Sequence, residues 1–208
     1  LKSIRSTRGY TLEMAATGEM MAIALRHRPH AVCLVPERRE ERTTEGGIDA
    51  AGRRDELAPL VGALSAEGIR VSLFIEPAEA QLDAAKALGA AAVELHTGAY
   101  CDAVGEERAR HLARLQAAAA MAHGLGLACH AGHGLSFDNV GAVAAIVAIE
   151  ELNIGHFLIG EAIFCGLEAS IARMRVAMDQ ARMRAPGDQA RTRAPGHEAR
   201  PEAIQAAP

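Results

Sequence analysis

Six times along this chain a short apolar run is followed by a longer segment with helical period, and no other feature restricts the fold as much. The runs are Thr11–Ala15, His30–Val35, Ile69–Ile75, Ala91–Leu95, Leu127–Ala131 and Glu151–Ile154. Between and after them lie segments with apolar residues at i, i+3, i+4 and i+7, the spacing of one helix face. Gly18–Arg28 places Met20, Met21, Ile23 and Ala24 together, and Asp49–Glu67 does the same with Leu57, Leu60, Val61 and Leu64. Ala78–Leu88, Glu106–His123, Phe137–Ile146 and Leu167–Arg182 complete the set. Leu112, Leu115, Ala119 and Ala122 are expected inward on the fourth of these helices, and Leu167, Ile171, Met174 and Met178 on the last. Gly68, Gly89 and Gly124 stand where helices should end, and Phe157–Ala162 reads as a single helical turn.

Alternation of this kind builds βαβ units and a parallel sheet. Two architectures satisfy it, a doubly wound sheet and a (β/α)8 barrel. No G-x-G-x-x-G follows the first run, which weakens the dinucleotide-binding version. The polar and glycine residues gather at the C-terminal ends of the runs: Glu13 within the first, His-Thr-Gly after Leu95, Gly-His-Gly after Ala131, Gly-His after Ile154. That is the catalytic face of a barrel. The expected fold is therefore an α/β (β/α)8 barrel, incomplete here with about six βα units and its first two strands missing. Residues 1–182 form the domain, and Leu1–Arg8 reads as the end of a helix. From Met183 the chain turns rich in Arg, Ala, Pro and Gly, and Arg184–Arg191 recurs nearly intact as Arg193–Arg200. Such a stretch cannot bury enough apolar surface to offset its ordering entropy, so residues 183–208 are expected to be a disordered tail.

Composition narrows the partners. The 208 residues carry 22 Lys and Arg against 26 Asp and Glu, a net charge of -4. No basic stripe for a duplex emerges outside the mixed-charge tail, so nucleic acid is not expected. The longest apolar stretches, such as Gly141–Ile149, fall well short of the roughly 20 residues of a membrane helix. The first ten residues lack the apolar core of a signal peptide. Four separated cysteines without C-x-x-C fit reduced thiols in the cytoplasm.

The chemistry-bearing candidates follow the strand ends. His133, flanked by Gly132 and Gly134, can exchange a proton near neutral pH beside open backbone N–H groups; the plain alternative is a solvated turn histidine. Gly155 and His156 close the next strand, where a barrel's phosphate site would lie. Glu13 and Glu94 are carboxylates inside apolar strands, either poised bases or paired structural groups. In the structural alternative for Glu94, His96 is its supporting partner. Pro36–Gly47 is over-long for a barrel connection and mixes charges with two Thr and two Gly, a candidate lid or a solvated loop. A metal set drawn from His96, His130 and His133 with Glu13 or Glu94 is the rival chemistry, but the spacing matches no familiar ligand motif.

Taken together, Leu12–Ala15, Cys33–Asp55, Val71–Pro77, Glu94–Tyr100, Ala131–Val140 and Glu151–Ile163 resemble the pyridoxine 5'-phosphate synthase family. The resemblance implies a (β/α)8 barrel assembled as a homo-oligomer, an octamer, in vitamin B6 biosynthesis. It implies condensation of 3-amino-1-hydroxyacetone 1-phosphate with 1-deoxy-D-xylulose 5-phosphate, with loss of phosphate and water and no metal or other cofactor. By matching motif, Glu13 is similar to the family's catalytic proton acceptor and His133 to its proton donor. Thr43, Gly134, Gly155 and His156 match substrate-contacting positions, the last three around a phosphate, and Glu94 matches another residue lining the site. The family's Asn-x-Asp-His and His-x-Arg motifs find no counterpart, because Leu1 corresponds to the helix after the second strand. Alternative readings are a catalytically dead truncated fragment and another phosphate-binding barrel lyase or isomerase.

Overall fold

The computed structural model describes residues 9–37 and 46–184. The readings of Leu1–Arg8, of Thr43 and most of its loop, and of residues 185–208 of the tail lie outside the described residues; Met183 and Arg184, expected to begin the tail, are instead the end of the last helix.

Six strands form one sheet in the order β1 to β6, each parallel to its neighbour. They are β1 (Thr11–Ala15), β2 (Ala31–Val35), β3 (Arg70–Ile75), β4 (Ala92–His96), β5 (Ala128–Gly132) and β6 (Ile149–Asn153). Strictly sequential order excludes the doubly wound alternative, in which the order reverses at a switch point. It is the order of a (β/α)8 barrel, present here as an open arc: β1 pairs only with β2, and β6 only with β5, among the described residues.

The helices are α1 (Gly18–His27), α2 (Arg54–Ala66), α3 (Glu79–Ala87), α4 (Gly98–Asp102), α5 (Gly105–Gly124), α6 (Val140–Ala144), α7 (His156–Cys165) and α8 (Leu167–Arg184). Local chemistry sets their ends. Thr17 caps α1, its Oγ1 accepting from the Met20 N–H at 3.3 Å. α2 starts five residues later than the sequence suggests. The Asp49 carboxylate accepts from the Gly52 N–H and the Gln81 side chain, so this stretch is a capped turn and not helix. α5 runs through Gly124 and reverses at Gly126, whose φ is +73°. α4 was not expected, and α7 is a ten-residue helix where one turn was expected.

Within each strand the side chains alternate. Met14, Leu34, Leu73, Ile75, Val93, Leu95 and Ala131 are all buried against the helix layer, where Leu57, Val61 and Leu64 of α2 and Leu115, Ala119 and Ala122 of α5 meet them. The expected inward faces of α2 and α5 are the observed ones. That of α8 is not: Met174 is buried, but Leu167 and Ile171 are 50% and 43% exposed. Ser170 takes the inward place, its Oγ donating to the Leu158 carbonyl at 3.1 Å. Apolar period alone misplaces this face because α8 packs chiefly on α6 and α7 and reaches the sheet through Arg182, which donates to the Ile149 carbonyl of β6 at 2.6 Å.

Candidate active site

The other face of the sheet is polar. In register, Glu13 pairs with Cys33, Cys33 with Ser72, Phe74 with Glu94, Glu94 with His130, and Gly132 with Asn153. Paired residues in parallel strands share a side, so one residue shift separates this row from the apolar one. Glu13 and Glu94 thus enter apolar-looking strands without entering the apolar core.

At the C-terminal ends of the strands this face opens into a cavity of about 1150 Å³. Glu13, Glu94, His133, Gly134, Gly155 and His156 all line it, so the structure brings together every expected site residue except Thr43, which lies outside the described residues. Phe74, His96, Asp102 and Asn153 line it as well; sequence reasoning assigned no separate role to Phe74, Asp102 or Asn153. Asn153 had a usable signal, its alternation with Glu151 on the polar side of β6. Among the described lining residues there is no Lys or Arg, so the hydrogen-bond donors of the cavity are imidazoles, amides and backbone N–H groups.

Glu94 is the most constrained group. Asn153 Nδ2 donates to its Oε2 at 2.7 Å, and the Cys33 thiol approaches the same oxygen at 3.6 Å. A Cβ added at Gly132 would fall 2.3 Å from Glu94 Oε1, so the glycine on β5 makes the room this carboxyl occupies. Burial pushes the Glu94 carboxyl up to about 7; the Asn153 bond opposes that, and the Glu13 charge adds to it. A carboxyl balanced there can give or take a proton near neutral pH. Burial first, and Glu94 second, push the Cys33 thiol far above its usual range, so it stays protonated and unreactive.

His133 sits in a left-handed backbone conformation, φ +83°, followed by Gly134 at +77°. A non-glycine residue there is strained, and the surroundings over-determine it. The buried Thr97 hydroxyl stands between the carbonyls of Gly132, at 2.7 Å, and His133. Asn139 Nδ2 donates to the Gly134 carbonyl at 3.3 Å while its Oδ1 accepts from the Ser136 N–H at 2.7 Å. The next turn places Gly155 immediately before α7 and His156 as its first residue, so N–H groups at the start of this helix border the cavity.

The rival metal set does not assemble. His130 Nδ1 lies 3.8 Å from Glu151, and no group of three or more His, Cys, Asp or Glu is placed to hold a metal among the described residues. All four cysteines are free of disulfides. No helix among the described residues is long and apolar enough to cross a membrane.

Residues 1–180 match the family model described as pyridoxal phosphate biosynthesis protein PdxJ. A pyridoxine 5'-phosphate synthase of Rhodospirillum rubrum is 67% identical over 171 residues, covering 82% of this chain and 69% of the relative. One from Zymomonas mobilis is 66% identical over 170 residues, covering 82% and 66%. The chain thus spans about two thirds of the length of the curated relatives it matches. Among solved structures, an HpcH/Hpal aldolase/citrate lyase family protein from Burkholderia cenocepacia superposes with a TM-score of 0.52 at 14% identity, over 83% of this chain and 76% of the other; the likeness is one of fold.

Proposed function

The chain belongs to the pyridoxal phosphate biosynthesis protein PdxJ family, and from that premise we propose that its cavity is a pyridoxine 5'-phosphate synthase site. The reaction joins 3-amino-1-hydroxyacetone 1-phosphate to 1-deoxy-D-xylulose 5-phosphate and releases phosphate and water. Glu13 accepts protons and His133 donates them. Gly134, Gly155 and His156 hold a phosphate, Thr43 contacts substrate, and Glu94 lines the reacting centre. Residues 1–182 form the synthase unit with residues 183–208 as a tail, and the enzyme works in the cytoplasm as a homo-oligomer.

One observation carries this reading: Glu13, Glu94, His133 and His156, borne by four different strands or the turns that follow them, line the same cavity. Condensation and ring closure need repeated proton transfers between facing groups. A phosphate needs oriented hydrogen-bond donors, here the Gly134 and Gly155 turns and the His156 imidazole. The open sheet favours a second reading, in which the six-stranded chain binds substrate without turning it over.

The test mixes the chain with both phosphorylated substrates and follows pyridoxine 5'-phosphate fluorescence. Product is expected, with Glu13→Gln and His133→Asn each lowering turnover about 10²–10⁴-fold while circular dichroism is unchanged. Near-normal rates in both variants would remove their roles. Substrate binding without product would establish the second reading.

A further inference from the structure

Glu76 and His96 form a buried pair beside the proposed catalytic groups that the reaction does not use. Glu76, next after β3, is 4% exposed, and His96, at the end of β4, is 8% exposed. A carboxylate that deep needs donors. The Gly47 N–H donates to Glu76 Oε1 at 3.0 Å, and His96 Nδ1 stands 3.1 Å from the same oxygen, a close polar contact without hydrogen-bond alignment.

The first contact pins the chain where it returns to the sheet. Ile48 N–H donates to the Phe74 carbonyl at 2.8 Å. A Cβ at Gly47 would lie 2.6 Å from the Glu76 backbone nitrogen, so no side chain fits this approach. The second contact sets the imidazole. His96 meets Phe74 edge-on, centroids 5.1 Å apart at 87°, and packs against the His133 ring at 4.9 Å and 42°. A Cβ at Gly98 would reach His96 Cε1 at 2.7 Å and His133 Cδ2 at 3.3 Å. Both rings occupy one narrow slot.

We propose that Glu76 and His96 are positioning residues that tie the seating of the Gly46–Gly47 backbone to the orientation of the His133 imidazole. A single carboxylate oxygen faces both Gly47 N–H and His96 Nδ1. A buried carboxyl group in contact with Nδ1 on one side, and Phe74 edge-on at another, limits how the His96 ring can turn. The face of that ring is what His133 packs on. The contacts run without a gap from Gly47 to Glu76, His96 and His133. At the far end Thr97 holds the His133 backbone, which leaves the imidazole as the part that responds. The importance of His133 rests on the synthase reading; the relay does not.

The test uses the whole chain with isotope-labelled histidine and records ring resonances, assigned through His96→Gln and His133→Asn. Glu76→Gln removes the charge and keeps an oxygen for Gly47, whereas Glu76→Ala removes both. The Gly47 amide is expected to exchange about 10–100-fold faster in the alanine variant. The His133 ring signals are expected to move in Glu76→Gln. In a His96→Gln background the same Glu76→Gln change is expected to leave them in place, because the relay is already cut. His133 signals that stay put in the single variant, or move equally in both backgrounds, would overturn the proposal. If the alanine variant does not fold, the glutamine pair decides alone. No substrate enters these measurements, so a failed product assay counts against the synthase reading and not against the relay.

Discussion

The centre of the sheet and its last edge are built from the same repeat, yet they differ in how much they bury. Leu73, Ile75, Val93 and Leu95 of β3 and β4 are fully buried. β6 begins with a buried Ile149 and then turns exposed, α7 buries no residue, and Ile159, Ile163 and Phe164 are 59%, 79% and 88% exposed. A central strand has a neighbour on each side and a helix over one face, whereas β6 has one neighbour among the described residues. Glu94 and the proposed proton donor His133 therefore stand on β4 and just after β5, strands paired on both sides, whereas the proposed proton acceptor Glu13 is on the first edge strand and the proposed phosphate turn at Gly155 and His156 stands on the thin part. Apolar sequence becomes a core only where the topology supplies partners for it.

The largest effect is expected at the centre. Leu95→Ala removes a fully buried side chain from between β4 and its helices, and should cost about 2–5 kcal/mol in urea unfolding. Ile163→Ala on the exposed side of α7 should fall within about 0.5 kcal/mol of the parent. Equal losses at both positions would erase the contrast.

A smaller effect with a defined sign is expected at Glu94. Its carboxyl is held up at about 7 against an ordinary 4.5, chiefly by burial. The folded state therefore keeps this proton to higher pH than the unfolded chain does. The associated stability is complete below about 4.5 and is lost as pH rises through about 7. Glu94→Gln keeps an oxygen for Asn153 and cannot ionise. Its stability relative to the parent should improve between pH 5 and pH 8 by on the order of 1–3 kcal/mol, followed by melting temperature. A difference that is flat with pH would mean that Glu94 is solvated and the centre looser than described.

Legibility in the sequence follows the same division. The central strands could be read because Ile69–Ile75 and Ala91–Leu95 are short apolar runs with glycine or proline within three residues of each end, and the Gly-His turns stood out at strand ends. Glu13 and Glu94 drew notice as carboxylates in apolar company, but what accommodates Glu94 did not: Gly132 and Asn153 act across strand pairs, and register is not written in one segment. Phe74 and Glu76 gave no signal, since an aromatic residue and an acid near a strand end are ordinary. On α8 the apolar stripe of Leu167, Ile171 and Met178 pointed to a face, but period shows which side is apolar and not whether anything covers it.

The smallest expected effect sharpens the contrast most. Phe164 lies near the end of α7 and is 88% exposed, so its ring leaves little water behind on folding. Serine and phenylalanine have similar helix propensities, and no hydrogen bond of the α7–α8 contact uses this side chain; Ser170 Oγ to the Leu158 carbonyl lies one turn and more away. Phe164→Ser should therefore shift the unfolding free energy by less than about 0.5 kcal/mol, at every protein concentration. A loss above about 1 kcal/mol that grows with concentration would show the ring buried by a second copy in solution, because only association makes stability concentration-dependent. The thin edge would then be an interface, and its poor burial a property of the lone chain.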